Sequence, residues 1–365
     1  MIITDYTDSY LENYTSYKNY WNYEDGCILS GCAKLFEASG KEKYRNFVLD
    51  YLDAVITDTG VIINFDNSKH SLDSFNSGKA LLFAYRTTEK EKYRKAADFL
   101  YSKISSYPRT NEGSFIHKSI YPDQVWLDGL YMLLPFYAES IRMNGSADFS
   151  DIFTQYKNAR KNMFCDKSKL YFHGYDSAGV QPWADKNTGC SPSFWLRSIG
   201  WFLMSLTDTF EAIGNPDDSC SRLVSELFCE AAEGIVQYAD SEAGLFHQVT
   251  DKPEASGNYT ETSGSLMISY TLMKSVRLGI PVFSGAFETG RNIFNSVISE
   301  KLIKDENGYK LTDICCSAGL GPGNERNGST EYYISEKTVS DDPKGTGALM
   351  MAMSEILRAE KGTQS

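Results

Sequence analysis

The chain has 365 residues, of which 42% are hydrophobic and 23% charged, a composition typical of a globular protein. Its formal net charge of −12 argues against a partner such as nucleic acid, which is held through its phosphates. No apolar run reaches the ~18 residues of a membrane span, so no segment inside a membrane is expected.

The N-terminal stretch MIITDYTDSYLENY has neither a basic start nor an apolar core, so we do not expect it to be a secretory signal. The eight cysteines include no C-x-x-C pair, and several lie in apolar helical patterns such as SELFCEAAEGI. Free thiols in a reducing cytoplasm are therefore favoured over a disulfide framework. The four histidines are isolated from one another, and neither a metal nor a cofactor is predicted. The oligomeric state is left open.

Apolar residues recurring with a period near 3.6 predict twelve helices. In chain order they lie at 4–18, 24–39, 41–57, 72–86, 90–106, 122–142, 148–164, 192–214, 218–239, 260–278, 284–303 and 344–360. The pentapeptide KEKYR opens two of them, at 41–45 and again at 90–94. Such an internal repeat of about fifty residues is typical of an array of similar helical units.

The connections between these helices alternate strictly between short and long. Antiparallel helices joined in that order place all the long loops on one face. Six helical hairpins closed into a ring predict an all-α fold, an (α/α)6 toroid, as a single domain over residues 1–365. Short extended stretches at 61–64, 169–173 and 244–248 predict small strands within the long loops.

One acid stands out in the stretch YPDQVWLDGLYMLLPF, where Asp128 is the only charged residue between Val125 and Phe136. A carboxylate in apolar surroundings is costly unless it is paired or takes up a proton. Other long loops and the helix starts that follow them are rich in Trp, Tyr, His, Asp and Arg. A pocket of these residue types suits a sugar ring, because aromatic rings stack on its C–H face and polar groups bind its hydroxyls.

Seven stretches together resemble the unsaturated rhamnogalacturonyl hydrolases of glycoside hydrolase family 105 and, less closely, the unsaturated glucuronyl hydrolases of family 88. They are WNYEDG, LDSFNSGK, FIHKSIYPDQVWLDGLYM, YFHGYD, SPSFWLRSIGW, GNYTETSGS and STEYYISEKTVSDDPKGTGALMMA, in the family's order from residue 21 to residue 352. That family is an (α/α)6 barrel, which agrees with the fold that the helix count predicts.

The resemblance implies a hydrolase whose substrate is a small oligosaccharide with a 4,5-unsaturated uronic acid at its non-reducing end, a product of polysaccharide lyases. An acid protonates C4 of the enol ether, water adds at C5, and the resulting hemiketal opens to release the sugar as a keto acid. The family's proton donor falls on Asp128. Apolar surroundings that favour a protonated acid would explain why the chain places one there.

Further positions carry over from the family's motifs. Asp73 matches a second carboxylate near the donor, although it is also suited to cap a helix. The expected substrate contacts are Tyr23, His117, Lys118, Trp126, His173, Trp195, Arg197, Trp201 and Lys344. Where this chain reads Arg197-Ser-Ile-Gly-Trp201, family members often read R-G-N-G-W. That departure bears on substrate preference and not on the donor.

Three alternatives stay open at this stage. The first is an unsaturated glucuronyl hydrolase with another glycan as substrate. The second is a sugar epimerase on the same toroid that uses His117 and His173 as its acid and base. The third is a non-catalytic carbohydrate-binding or scaffold protein. Neither of the last two explains the setting of Asp128, and loss of the substrate's double bond would separate them from a hydrolase.

Overall fold

The computed structural model describes residues 2–306 and 308–362, and these ranges contain fourteen α-helices. Helices α1 to α7 are Ile2–Glu12, Tyr23–Ser39, Glu42–Val55, Asp73–Asn76, Gly78–Thr88, Glu91–Ser102 and Leu127–Met143. Helices α8 to α14 are Ser150–Met163, Leu196–Ile213, Ser219–Ile235, Thr262–Arg277, Ala286–Glu300, Thr330–Ser335 and Pro343–Gly362. A 3-10 turn, Val236–Tyr238, extends α10.

Six helices form a closed inner ring in which α2, α5, α7, α9, α11 and α14 pack each against the next, and α14 packs against α2. Helices α3, α6, α8, α10 and α12 pack outside this ring. Tyr6 ties α1 to the start of α14 through hydrogen bonds to Asp341 and Thr346. The predicted (α/α)6 toroid is confirmed, and the single domain stays a prediction.

Two predicted helices end or break earlier than their periodicity suggests. The first helix stops at Glu12 because the chain then turns around the Asp25 carboxylate, which accepts hydrogen bonds from Tyr14, Ser16 and the Tyr17 amide. The predicted helix 72–86 is broken at Ser77, whose hydroxyl donates to the carbonyl of Asn22 at 2.5 Å. These bonds hold both segments to the start of α2. Helix α13, in the last long connection, was not predicted.

Eight short strands form four two-stranded antiparallel sheets within the described residues. The pairs are β1 Gln124–Trp126 with β4 Gly174–Asp176, β2 Phe164–Cys165 with β3 Leu170–Tyr171, β5 Leu302–Asp305 with β6 Gly308–Leu311, and β7 Ile314–Cys315 with β8 Thr338–Val339. The predicted strand at 169–173 contains β3. The strands predicted at 61–64 and 244–248 are wrong, since each contributes only an isolated bridge, Ile56 to Ile62 and His247 to Thr260.

The β1–β4 pair explains why α7 begins at Leu127 and not at residue 122. Trp126 lies opposite Gly174 in the pair. A Cβ at Gly174 would lie 2.8 Å from Cδ1 of Trp126, so the strands can approach this closely only because residue 174 is glycine. The first turn of α7, which carries Asp128, is thereby fixed against the loop that carries His173.

All eight cysteines are free thiols, as predicted. Within residues 2–306 and 308–362, no helix has the length and apolar character of a membrane span.

Candidate active site

Five of the predicted site residues lie in the first turns of inner-ring segments. Tyr23 and Asp73 open α2 and α4, and Asp128, Arg197 and Lys344 are the second residues of α7, α9 and α14. Because each inner helix is followed by an antiparallel outer helix, the inner helices run in the same direction and their N-termini share one end of the toroid. Unpaired N–H groups and the helix dipole give each N-terminus a partial positive charge, which suits an anionic ligand.

Asp128 is 9% exposed, and its Oδ2 lies 3.1 Å from Nε2 of His173. The angles of this contact are not those of a hydrogen bond, so among the described residues neither atom has a hydrogen-bond partner. His173 is fully buried, and its Nδ1 is hydrogen-bonded to the Tyr333 hydroxyl at 2.7 Å. The backbone is also fixed here, because the Leu127 amide donates to the carbonyl of His173 at 3.0 Å.

Asp73 has a different environment, because its Oδ2 lies 2.6 Å from Nζ of Lys118 and its Oδ1 lies 3.8 Å from Nε2 of His117. Burial opposes ionisation of Asp73, but Lys118 and His117 outweigh it and lower the pKa of this carboxyl. Burial also lowers the pKa of His117, to about 4, despite the attraction of Asp73. Asp73 is therefore a carboxylate and His117 a neutral imidazole at neutral pH.

Aromatic rings form a wall between these two carboxyls. Trp126 stacks on His117 at a centroid distance of 4.1 Å and on Tyr121 at 5.1 Å. Its edge meets the ring of His173 at 5.2 Å, and the far side of His173 meets Trp195 at 4.8 Å. His117 and Tyr121 thus cover both faces of Trp126, and the wall holds the two histidines in place beside the carboxyls.

A cleft of about 550 Å³ opens beside Asp73, and its walls include Tyr23 and Lys118. Two further lysines line it, Lys18 and Lys69. Asp128 lies outside the walls of this cleft. His117 is near both carboxyls, since a charge on its ring would interact with Asp73 and with Asp128. The structure thus brings the two predicted carboxyls and both predicted histidines into one region.

Arg197 is only 1% exposed and is held by protein groups. Its Nη1 donates to the carbonyl of Cys315 at 2.6 Å and to the Ser263 hydroxyl at 3.2 Å, and it lies 3.9 Å from the Glu261 carboxylate. Nε is buried with no hydrogen-bond partner among the described residues. Burial opposes the charge of Arg197, but its ionisable neighbours, Cys315 and Glu261 foremost, raise its pKa overall.

Lys344 is also held by other groups of the protein. It is 2% exposed, and its Nζ lies 2.8 Å from Oδ1 of Asp342. The ammonium group also lies over the ring of Tyr17, 5.1 Å from its centroid. Arg197 and Lys344, two of the expected substrate contacts, therefore already have acidic partners within the protein.

Of the predicted site residues, Tyr23, Asp73 and Lys118 line the cleft, whereas Trp201 packs in the core. It is 2% exposed in the main hydrophobic core and stacks on Tyr131 at 4.8 Å. Tyr131 lies one turn beyond Asp128 along α7, so this pair packs below the site, between α7 and α9.

Two buried residues of this region were not singled out from the sequence. Tyr333 contacts His173, and Glu261 caps α11 by accepting from the Gly264 amide at 2.7 Å while also accepting from the Cys315 amide at 3.0 Å. Both lie in stretches that carry the family resemblance, STEYYISEK and GNYTETSGS. The resemblance therefore pointed to these two stretches, but it did not show which residue of each stretch points inward. Across the described parts of the chain, no three His, Cys, Asp or Glu side chains cluster as metal ligands would.

The fold is a closed ring of helical hairpins, and one end of it carries two carboxyls in contrasting environments beside an aromatic wall. This is the architecture of a toroidal glycoside hydrolase. The chain belongs to Glycosyl Hydrolase Family 88, whose sequence model matches residues 1–360. The predicted kinship with families 105 and 88 is confirmed, as is the prediction of a glycoside hydrolase.

Individual relatives agree with this assignment. The structure of a family 105 glycoside hydrolase from C. acetobutylicum ATCC 824 is 37% identical, with a TM-score of 0.91 over 97% of this chain and 98% of that one. A 24.9 kDa protein in the picA locus of Rhizobium radiobacter is 38% identical over 232 residues, 62% of this chain and 98% of its own. The unsaturated rhamnogalacturonyl hydrolase YesR of Bacillus subtilis (strain 168) is 23% identical over 83% of this chain and 87% of its own.

Proposed function

We propose that this protein removes a 4,5-unsaturated uronic acid from the non-reducing end of lyase-generated oligosaccharides, with rhamnogalacturonan fragments as its substrates. Asp128 protonates C4 of the enol ether, which leaves positive charge at C5 shared with the ring oxygen. Water adds at C5 and gives its proton to the Asp128 carboxylate. The hemiketal then opens, the glycosidic oxygen leaves with a proton, and the released sugar is a keto acid.

The observation that carries this proposal is the contrast between the two carboxyls. Asp73 is held as a carboxylate by Lys118 at 2.6 Å. Asp128 instead faces the fully buried imidazole of His173, and its Oδ2 has no hydrogen-bond partner among the described residues. Carboxyls whose environments differ in this way take different roles in glycosidases, one as the acid and the other as a charged partner.

A neutral sugar next to the uronate is supported by the charges of the cleft. Each lysine of its wall has an acidic partner: Lys18 with Glu24 at 2.6 Å, Lys69 with Asp66 at 3.0 Å, and Lys118 with Asp73 at 2.6 Å. A sulfated or uronic neighbour would need cations that such pairing already neutralises. Rhamnose, which is neutral, fits this surface, and the distant relative YesR carries the corresponding name.

The substrate's own carboxylate is drawn by local charge, since the protein as a whole has a formal net charge of −12. The N-termini of the inner helices converge at the site and supply that local field without adding a side-chain cation. Long-range steering is therefore expected to contribute little to the association rate.

The decisive experiment is Asp128→Asn, assayed by the fall in ultraviolet absorbance as the conjugated double bond disappears. This change keeps the shape of the side chain and removes its transferable proton. Turnover should fall by about three orders of magnitude, roughly 4 kcal/mol of barrier, while the melting temperature holds. Asp128→Glu keeps an acid at this position and should retain more activity than Asp128→Asn. A folded Asp128→Asn enzyme with wild-type turnover would end the proposed mechanism.

Substrate preference is tested separately with two unsaturated disaccharides, one ending in rhamnose and one in a sulfated amino sugar. We expect kcat/KM to favour the rhamnose substrate by about tenfold or more. The reverse preference would support an unsaturated glucuronyl hydrolase with another glycan. No loss of the double bond from either substrate would return the epimerase and the binding protein to consideration.

A further inference from the structure

The hydroxyl of Tyr333 reaches the proposed proton donor through a single intermediate, His173. Tyr333 lies in α13 and His173 in the loop before β4, 160 positions apart in sequence, and both are 0% exposed. The Tyr333 ring is itself held, because it stacks on Trp195 at 5.8 Å with the planes inclined by 7°. The contact between its hydroxyl and Nδ1 of His173, 2.7 Å long, is therefore a fixed feature of the site.

The direction of this hydrogen bond follows from burial. Among the described residues, Nδ1 of His173 is the one hydrogen-bond partner of the Tyr333 hydroxyl. If Nδ1 carried the proton and donated, the hydroxyl proton would be buried without an acceptor, which costs the full desolvation of that group. Burial also raises the pKa of Tyr333 well above its usual value, with Tyr332 and Asp128 adding to the effect, so the hydroxyl keeps its proton. Tyr333 therefore donates, and Nδ1 accepts.

We propose that Tyr333 is a positioning residue that fixes His173 as the Nε2–H tautomer, so that the ring nitrogen next to Oδ2 of Asp128 carries the proton. A ring nitrogen that accepts a hydrogen bond leaves the proton on the other nitrogen. The Nε2–H group then interacts with Oδ2 of Asp128, which lies 3.1 Å from Nε2. The transferable proton of Asp128 is therefore carried by its other oxygen, Oδ1. The angles of the contact between Nε2 and Oδ2 fall short of a hydrogen bond, and contacts of this kind at catalytic groups tighten when the substrate binds. This inference rests on the proposed role of Asp128.

The hydrogen-bonded pair of Tyr333 and His173 also affects Asp128 during the catalytic cycle. Once Asp128 has protonated the substrate it is a carboxylate, and an N–H directed at Oδ2 stabilises that charge until water returns a proton. Other titratable groups face the pair and would act on it in parallel: His117 from the loop before α7, Cys315 from β7, and Tyr332 and Glu336 from α13 and its end. The test must therefore observe His173 itself as well as activity.

Nitrogen NMR of histidine-labelled protein provides that observation, because the chain has only four histidines and His173→Asn identifies the relevant signal. In the wild-type protein at neutral pH we expect the Nε2–H tautomer of His173. In Tyr333→Phe the tautomer should become mixed or reverse. The matched control is Tyr332→Phe. Burial raises the pKa of Tyr332, so its hydroxyl, which accepts from the Gly319 amide at 3.0 Å, is uncharged at neutral pH, and its removal should leave the His173 signal unchanged.

Kinetics of the same variants complete the test. Without a fixed Nε2–H, Asp128 loses a donor that stabilises its carboxylate. The alkaline limb of kcat/KM in Tyr333→Phe should move upward by roughly half a pH unit or more. Its kcat should fall about tenfold while KM changes little, because the buried hydroxyl does not reach the cleft.

Two results would overturn the inference while leaving the proposed function intact. One is an Nδ1–H tautomer of His173 in the wild-type protein. The other is a Tyr333→Phe enzyme that loses melting temperature but keeps the wild-type tautomer and pH profile, which would make Tyr333 merely structural. Failure of the proposed function is a separate result, since it requires a fully active Asp128→Asn enzyme.

Discussion

Asp73 and Lys118 form an ion pair 2.6 Å long in the wall of the cleft, and the residue before Lys118, His117, stacks on Trp126 beside Asp128. The segment His117–Lys118 thus helps to keep Asp73 ionised and also supports the aromatic wall beside Asp128. Changes at Lys118 should therefore affect the site through Asp73.

Lys118→Met should shift the acid limb of activity. Burial alone would raise the pKa of Asp73, and Lys118 and His117 reverse that effect, so removing Lys118 lets the pKa rise. If Asp73 acts as a carboxylate, the acid limb of kcat/KM moves to higher pH. Lys161→Met is the matched control, because its 2.6 Å pair with Glu112 lies on the surface and should leave the profile unchanged. An unmoved acid limb in Lys118→Met would show that ionised Asp73 is not needed.

His117 should make stability depend on pH. Its folded-state pKa is lowered from 6.5 to about 4, so the unfolded chain binds the extra proton first as the pH falls. The stabilisation is complete above pH 6.5 and is lost between pH 6.5 and 4, by at most about 3 kcal/mol. His117→Phe keeps a ring against Trp126 and removes the titration. Its melting temperature should change less than that of the wild-type protein across this window, and equal slopes for the two would contradict the assignment.

Arg197→Met should destabilise the fold more than it weakens substrate binding. It leaves the Glu261 carboxylate, 0% exposed, without its nearest cation, which typically costs about 3–5 kcal/mol. Arg197→Lys keeps the charge and should cost less. In contrast, Arg109→Met breaks a part-exposed pair with Asp151 and should cost about 1 kcal/mol or less. An Arg197→Met protein of wild-type stability with a raised KM would instead place Arg197 in the substrate site.

Replacing Trp201 should mainly lower stability, whereas replacing Trp126 should mainly impair activity. Trp201→Ala opens a cavity beside Tyr131 in the core and should cost about 3–5 kcal/mol with little change in KM. Trp126→Ala removes the ring that stacks on His117 and Tyr121, and it should raise KM and lower kcat. Melting temperatures and steady-state kinetics of both variants test this. If Trp201→Ala raises KM as much as Trp126→Ala does, Trp201 serves the substrate after all.

The sequence by itself determined most of the helices and their order, because the relevant signals are local. The two KEKYR copies lead into α3 and α6, which begin at Glu42 and Glu91. Gly40 ends α2 with φ 72°, a left-handed conformation that glycine adopts without strain. Periodicity and end signals of this kind act within a few residues, so alternating short and long links were enough to predict the toroid.

Only the tertiary structure decided which side chains meet. Trp126 and Trp201 both stand in apolar stretches of the sequence, yet one forms the wall of the site and the other packs in the core. The pairing of His173 with Tyr333 spans 160 positions, and that of Arg197 with the Cys315 carbonyl spans 118. Such contacts depend on how the ring closes and how deeply each helix sits within it. Those distances arise from the packing of all six hairpins, and no local pattern in the sequence carries them.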